Sequence, residues 1–232
     1  MKYADRPVVV TGGTGALGTA VVAALLAEGA VCHVPYIDEQ RIQRFVHKSH
    51  ERVKLVAGCD VSDERAVARL FDGIDGLWAS IHIAGGFAAG PLVDTDKAGL
   101  MAMIETNLVS CCLCSRAAVR AMVRGAGGRI VNVASRQALE PRIGAGMAAY
   151  TASKAAVAAF TEALAQEVAE KGILVNAVAP SIMDTQQNRQ AMPKADYETW
   201  PKVEEVAATI LFLASPENRV TRGAVVPTYG RS

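Results

Sequence analysis

The sequence has almost no excess charge of either sign: 24 Lys and Arg stand against 23 Asp and Glu in 232 residues, a net charge of +1. Electrostatic nucleic-acid binders draw most of their affinity from clustered Lys and Arg, so nucleic acid is not an expected partner. No run reaches the roughly 18 uninterrupted apolar residues that cross a bilayer, and no membrane partner is expected. The most apolar stretch, 16–27, includes Thr19 and suits a buried helix. The start, Met1 to Arg6, is followed only by a short apolar run to Thr11, too short for the core of a signal peptide. Cysteines number five, and Cys111, Cys112 and Cys114 crowd one segment where they cannot sensibly pair with each other. That pattern fits a reducing compartment, the cytoplasm, and the chain has no paired CxxC spacing to suggest a metal site.

What is present is a globular composition, 51% hydrophobic and 20% charged. The length suffices to bury a core without disulfides or metal. Short apolar runs alternate with longer periodic ones. Strands are expected at 8–10, 31–36, 53–57, 77–83, 130–134, 173–178 and 223–228. Between them, helices are expected at 16–28, 63–71 (Ser62 as N-cap), 95–124 with a break near Gly99, 148–171 and 203–214. Strands that are apolar throughout and separated by helices indicate an α/β protein with a doubly wound parallel sheet of about seven strands, helices on both faces. No repeat, low-complexity tract or linker interrupts the alternation, so residues 1–232 read as one Rossmann-type domain. The irregular segment at about 181–201 has the length of a functional lid.

After the first strand the chain reads Thr11-Gly12-Gly13-Thr14-Gly15-Ala16-Leu17-Gly18. Glycines there let the backbone approach a pyrophosphate, whose charge rests on the N-terminus of the next helix. This implies a dinucleotide, NAD or NADP, and Gly12→Val is expected to weaken its binding without unfolding the chain. At the end of the second strand, Tyr36 and Asp38 are candidates to read the adenosine ribose, and an acid there favours the 2′-hydroxyl of NAD. Asp38 reads equally well as the cap of a helix beginning near Glu39, and Arg41 and Arg44 lie within reach of a 2′-phosphate. The reading leans to NAD.

Tyr150-Thr151-Ala152-Ser153-Lys154 opens the helix after the fifth strand, and positions i and i+4 share a helix face. A cation beside a phenol lowers its pKa from about 10, and such a tyrosine can exchange a proton with a carbonyl oxygen. Ser135 ends the fifth strand on the same carboxyl edge as the glycine loop, the edge where parallel sheets place ligands.

With these motifs in this order, the sequence resembles the short-chain dehydrogenase/reductase family, in its branch of about 250 residues with a single Rossmann domain. The resemblance implies Tyr150 as general acid/base, Lys154 as its activator and a ribose ligand, and Ser135 as hydrogen-bond partner of the reacting oxygen. Asn107 would support a water-linked proton relay. Asp60 and Val61 would contact adenine. Ala84 and Gly85 belong to the segment after the fourth strand that faces the cofactor. Pro180, Ile182 and Thr185 would lie at the nicotinamide carboxamide. The family's Asn-Asn-Ala-Gly is His82-Ile83-Ala84-Gly85 here, which leaves His82 as a structural histidine or one that titrates near the cofactor. Ala16 stands where this branch usually has Gly, and the interval from Ser135 to Tyr150 is about two residues longer than expected.

The implied activity is hydride transfer between a nicotinamide and an alcohol or carbonyl substrate. An epimerase or dehydratase of the same superfamily and a non-catalytic dinucleotide sensor are the competing readings. Gln186, Gln187, Asn188, Arg189, Tyr197, Trp200, Arg136, Gln137 and Arg142 could favour a polar or anionic substrate or simply form a solvated surface. The resemblance further implies a homotetramer or homodimer through the helices carrying Asn107 and Tyr150. Ala155, Ala156, Ala158 and Ala159 and the Cys111–Cys114 segment would lie in that contact.

Overall fold

In a computed structural model describing residues 1–232, the chain forms one seven-stranded, fully parallel sheet. It opens with β1 (Pro7–Thr11), α1 (Ala16–Ala27), β2 (Val31–Tyr36), α2 (Glu39–Arg44), β3 (Val53–Ala57), α3 (Glu64–Asp72) and β4 (Ala79–His82). Next come α4 (Lys97–Met103), a π-helical turn (Ile104–Val109), α5 (Ser110–Val123), β5 (Gly128–Val133) and α6 (Arg136–Leu139). The chain closes with α7 (Ala148–Glu167), β6 (Ile173–Pro180), α8 (Gln186–Ala191), α9 (Val203–Ala214) and β7 (Val225–Thr228).

The strand order is β3-β2-β1-β4-β5-β6-β7, so the winding reverses between β1 and β4. A crevice opens outside the carboxyl ends of the strands at such a reversal. Alternation along β1 shows how the two cores are separated. Val8 and Val10 face a cluster with Val21, Val22 and Leu25 of α1 and Val206 and Ile210 of α9. Val9 faces the opposite cluster, with Val67 and Leu70 of α3, Ala118 and Met122 of α5, and Leu164 of α7. Burial on both faces is why the strands carry no polar alternation.

The expected elements form, with local differences. Asp63, not Ser62, caps α3 through Ala66 N–H at 2.6 Å, because Ser62 turns back to Asp60 at 2.7 Å. Gly99 does not break the long helix, whose first turn is capped by Asp96. The irregularity comes later, as the π turn. Helix 97–123 is long and apolar enough by length and composition to cross a membrane, but it buries Cys114, Ala118 and Met122 against the sheet. The fourth strand is shorter than expected at both ends: Leu77 and Trp78 precede it, and 83–90 continues from its carboxyl end outside the sheet. The 181–201 segment contains α8 and a 3-10 turn at Tyr197–Thr199.

His82 takes the structural of its two readings. Its ring is buried, with Nδ1 at 2.8 Å from Asn132 Oδ1 and Nε2 at 2.7 Å from Ser80 Oγ. Asn132 passes the chain on to Thr161 of α7 at 2.9 Å. Asn132 Oδ1 only accepts, so Nδ1 carries the proton and Nε2 accepts from Ser80. Burial holds the His82 pKa down at about 4, against an ordinary value of 6.5. The unfolded chain therefore binds more protons between those two values, so this contribution is complete above pH 6.5 and is lost as pH falls toward 4. Chemical denaturation at pH 7 and pH 5 will show a loss of stability in the wild type, on the order of 1–3 kcal/mol from this group. His82→Asn will show a smaller loss; equal losses in the two proteins would exclude His82 as the source.

Candidate active site

The β1–α1 turn is built by close backbone approach. Gly12 has φ +67°, and a Cβ there would lie 2.6 Å from Ala84 N; at Gly18 it would lie 2.1 Å from the Gly12 carbonyl oxygen. Gly15 precedes α1 with no side-chain cap, so the first N–H groups of a twelve-residue helix stay available to an anion. Above them lies a cavity of about 480 Å³. Its walls bring together Gly12, Thr14, Gly15, Ala16, Leu17 and Gly18 from the turn. Tyr36 and Asp38 line it after β2, Asp60 and Val61 after β3, and Ala84 and Gly85 after β4. A bare helix terminus, a turn that excludes side chains and a cavity of this size fit a dinucleotide.

Several wall residues were not singled out in the sequence. Ile37, Cys59, Ser62 and Ile83 adjoin residues that were, and Thr106 and Ser110 flank Asn107. Adjacency in sequence was the available signal. Both readings of Asp38 have structural content: its carboxylate caps α2 through Gln40 and Arg41 N–H groups at 2.9 and 3.1 Å, and it pairs with Arg41 Nε at 3.2 Å. Pro180, Ile182, Thr185, Tyr150 and Lys154 do not line this cavity. Pro180 ends β6, Ile182 is exposed, and the Thr185 hydroxyl caps α8 through Asn188 N–H at 3.1 Å.

The second group of candidates sits where β5, α7 and the π turn meet. Ser135 lies two residues beyond β5, just before α6, and is buried, and its hydroxyl has no hydrogen-bond partner. A buried unpaired hydroxyl costs about 1–3 kcal/mol, so it is a place where a ligand oxygen gains a partner. The extra residues between Ser135 and Tyr150 are taken up by α6 and a 3-10 turn at Pro141–Gly144. Lys154 is buried, and its ammonium donates to the Val133 carbonyl at 2.7 Å. Burial lowers its pKa to about 8.

Burial raises the Tyr150 phenol's pKa. The Asn107 side chain, in turn, is occupied by protein groups. Its Oδ1 accepts from Gly86 N–H at 2.9 Å, and its Nδ2 donates to Gly86 O at 3.1 Å and Ser153 Oγ at 3.0 Å. Ser153 Oγ donates to Tyr150 O at 2.7 Å. Asn107 is thus a clamp between the loop after β4 and the first turn of α7.

Gly12→Val, expected from sequence to spare the fold, meets backbone at 2.6 Å and a positive φ, and will lower Tm as well as affinity. Gly15→Ala is the cleaner probe, since its Cβ has no neighbour closer than 3.4 Å. Calorimetric titration with NAD(H) and NADP(H) will show weaker binding for Gly15→Ala at nearly unchanged Tm; unchanged affinity would remove the phosphate role from this turn.

A family model described as "short chain dehydrogenase" matches residues 6–196. The chain is 32% identical to the 2-dehydro-3-deoxy-L-rhamnonate dehydrogenase (NAD(+)) of Sphingomonas sp. (strain SKA58), covering 99% of this chain and 96% of that protein. It is 33% identical to cis-4-hydroxycyclohexanecarboxylate dehydrogenase of Sinomonas cyclohexanicum, covering 98% and 96%. A solved structure of ElxO with NADP bound superposes with a TM-score of 0.88 at 26% identity, covering 97% of this chain and 98% of that one. The chain is a member of the short-chain dehydrogenase/reductase family of oxidoreductases.

Proposed function

We propose that the protein is an NAD(P)-dependent dehydrogenase/reductase acting on an alcohol or carbonyl, with Tyr150 as the group that holds and moves the proton. The observation that carries this is the unpaired, buried Ser135 hydroxyl next to Tyr150, on the sheet edge that also holds the glycine cradle. When bound, the nicotinamide supplies or accepts the hydride. Ser135 orients the substrate oxygen and Tyr150 gives it a proton or takes one from it. Lys154 anchors the ribose and, once drawn from Val133, stabilises the phenolate. Ile182 and Thr185 would hold the nicotinamide from a lid at 181–201, and the whole chain would work as one domain.

The raised pKa leaves the Tyr150 phenol protonated at neutral pH, the form that protonates a carbonyl oxygen during reduction. We read NAD as the preferred cofactor, because the Asp38 carboxylate repels a 2′-phosphate and occupies Arg41, the nearest cation. Tyr150→Phe will lower kcat by at least about a thousandfold while the Kd for NADH, titrated in parallel with NADPH, stays within about twofold. Wild-type turnover in the variant would overturn the assignment of Tyr150.

We further infer a cytoplasmic homodimer or homotetramer, an environment suited to five free thiols. The contact uses a narrower surface than the sequence suggested. Ala158, Cys111 and Cys114 are buried in this chain's own core, which leaves Ala155, Ala156, Ala159 and Cys112 to face a partner. Sedimentation velocity will show a dimer or tetramer, and Ala159→Arg will shift it toward monomer; a wild-type monomer would remove this inference.

A further inference from the structure

Phe87 is 64% exposed, yet its ring meets the Tyr150 ring edge-on, with centroids 5.0 Å apart and planes at 76°. It is the one large side chain in Ala84-Gly85-Gly86-Phe87-Ala88-Ala89-Gly90. That loop is fastened at three points. Ala84 N–H donates to Thr11 Oγ1 at 3.2 Å, Asn107 clamps Gly86, and Gly90 N–H donates to Gly146 O at 2.7 Å. Through Asn107 and Ser153 the same hydrogen-bonded chain reaches the backbone of Tyr150. The backbone that carries this exposed ring is thereby fastened beside the phenol.

Two of the arginines that could favour an anionic substrate are already engaged within the chain. Arg189 is spent on Asp184 in a bidentate pair at 2.6 and 2.8 Å. Arg136 is spent on Glu140 at 3.1 Å and the Ser232 carbonyl at 2.9 Å. Arg142 has no carboxylate partner, and it lies exposed in the 3-10 turn after α6. A cavity of about 400 Å³, adjoining Phe87 and Tyr150 in sequence but not lined by them, lies between the end of this loop and the start of α7, with Ala88, Ala89, Met103, Met147, Asp94 and Asp96 among its lining residues. Those carboxylates repel an anion, and the apolar walls suit a hydrocarbon group.

We propose that Phe87 is a specificity-determining wall of the site and that the substrate class is an uncharged aryl carbonyl, or the aryl carbinol in the reverse direction. This rests on the oxidoreductase reading above. In reduction, the carbonyl carbon gains a hydride from NAD(P)H and the C=O π electrons pass to oxygen. That oxygen takes the Tyr150 proton, giving the carbinol and NAD(P)⁺, and the phenolate regains a proton from water. The ring of Phe87 packs against the aryl group.

The test compares kcat/KM for acetophenone, 2-butanone and benzoylformate with NADH and with NADPH, and reads acetophenone binding separately by saturation-transfer NMR. The wild type will prefer acetophenone to both others. Phe87→Ala will lower the acetophenone-to-butanone ratio about tenfold and weaken saturation transfer to the aryl protons. Phe87→Leu, which keeps bulk without the ring, will lower the ratio by less. A ratio unmoved by either variant, or a preference for benzoylformate, overturns the wall alone and leaves the oxidoreductase reading standing. Absence of turnover with all three ketones and both cofactors overturns that reading and this proposal with it.

Discussion

The carboxamide of Asn107 is the contact on which the rest of the site depends. It is buried at the π turn between α4 and α5, and it binds both backbone groups of Gly86 and the hydroxyl of Ser153. A π turn is rare and is kept where its altered register serves a site. Here it lets one side chain join a loop from β4 to the first turn of α7. The packing is close enough to dictate composition: a Cβ at Gly85 would lie 2.7 Å from Asn107 Oδ1 and 3.3 Å from Lys154 Nζ. The glycine after β4, the clamp and the buried lysine therefore constrain one another.

Beneath this clamp lies a second polar layer. Ser80, His82, Asn132 and Thr161 run in hydrogen-bonded sequence from β4 through β5 to α7, all buried. Buried polar chains of this kind stabilise little on balance, because each group gives up water to join. What they fix is register. His82 sits opposite Asn132 across the strands, and the next residue of β5, Val133, supplies the carbonyl that holds Lys154. His82 thus bridges β4 to β5 and, through Asn132, to α7.

The parallel sheet was legible because strands buried on both faces must be apolar throughout, and Val8–Val10, Val31–Tyr36 and Ile173–Val178 are mostly so. The cradle was legible because glycine is required where backbone meets backbone, as at Gly12 and Gly18. Side-chain commitments were not legible. Nothing in the order of residues tells that Lys154 reaches Val133, that Asp38 spends its carboxylate on α2 and Arg41, or that Arg189 folds onto Asp184. Each choice depends on distances set by tertiary packing. Phe87 escaped notice for the same reason: its meaning comes from a ring 63 positions away in sequence.

The electrostatics of the pair in α7 follow from enclosure before they follow from pairing. Burial raises the pKa of Tyr150 and lowers that of Lys154, so both groups are pushed toward their neutral forms by one cause. An ammonium offered a carbonyl dipole in such a place takes it, which is what Val133 provides. Phenolate becomes favourable only when a further positive charge or hydrogen-bond donor enters the same enclosed space, where charges interact more strongly than in water. A charged group placed beside Lys154 would therefore change the balance that the Tyr150 phenol experiences without any movement of the sheet.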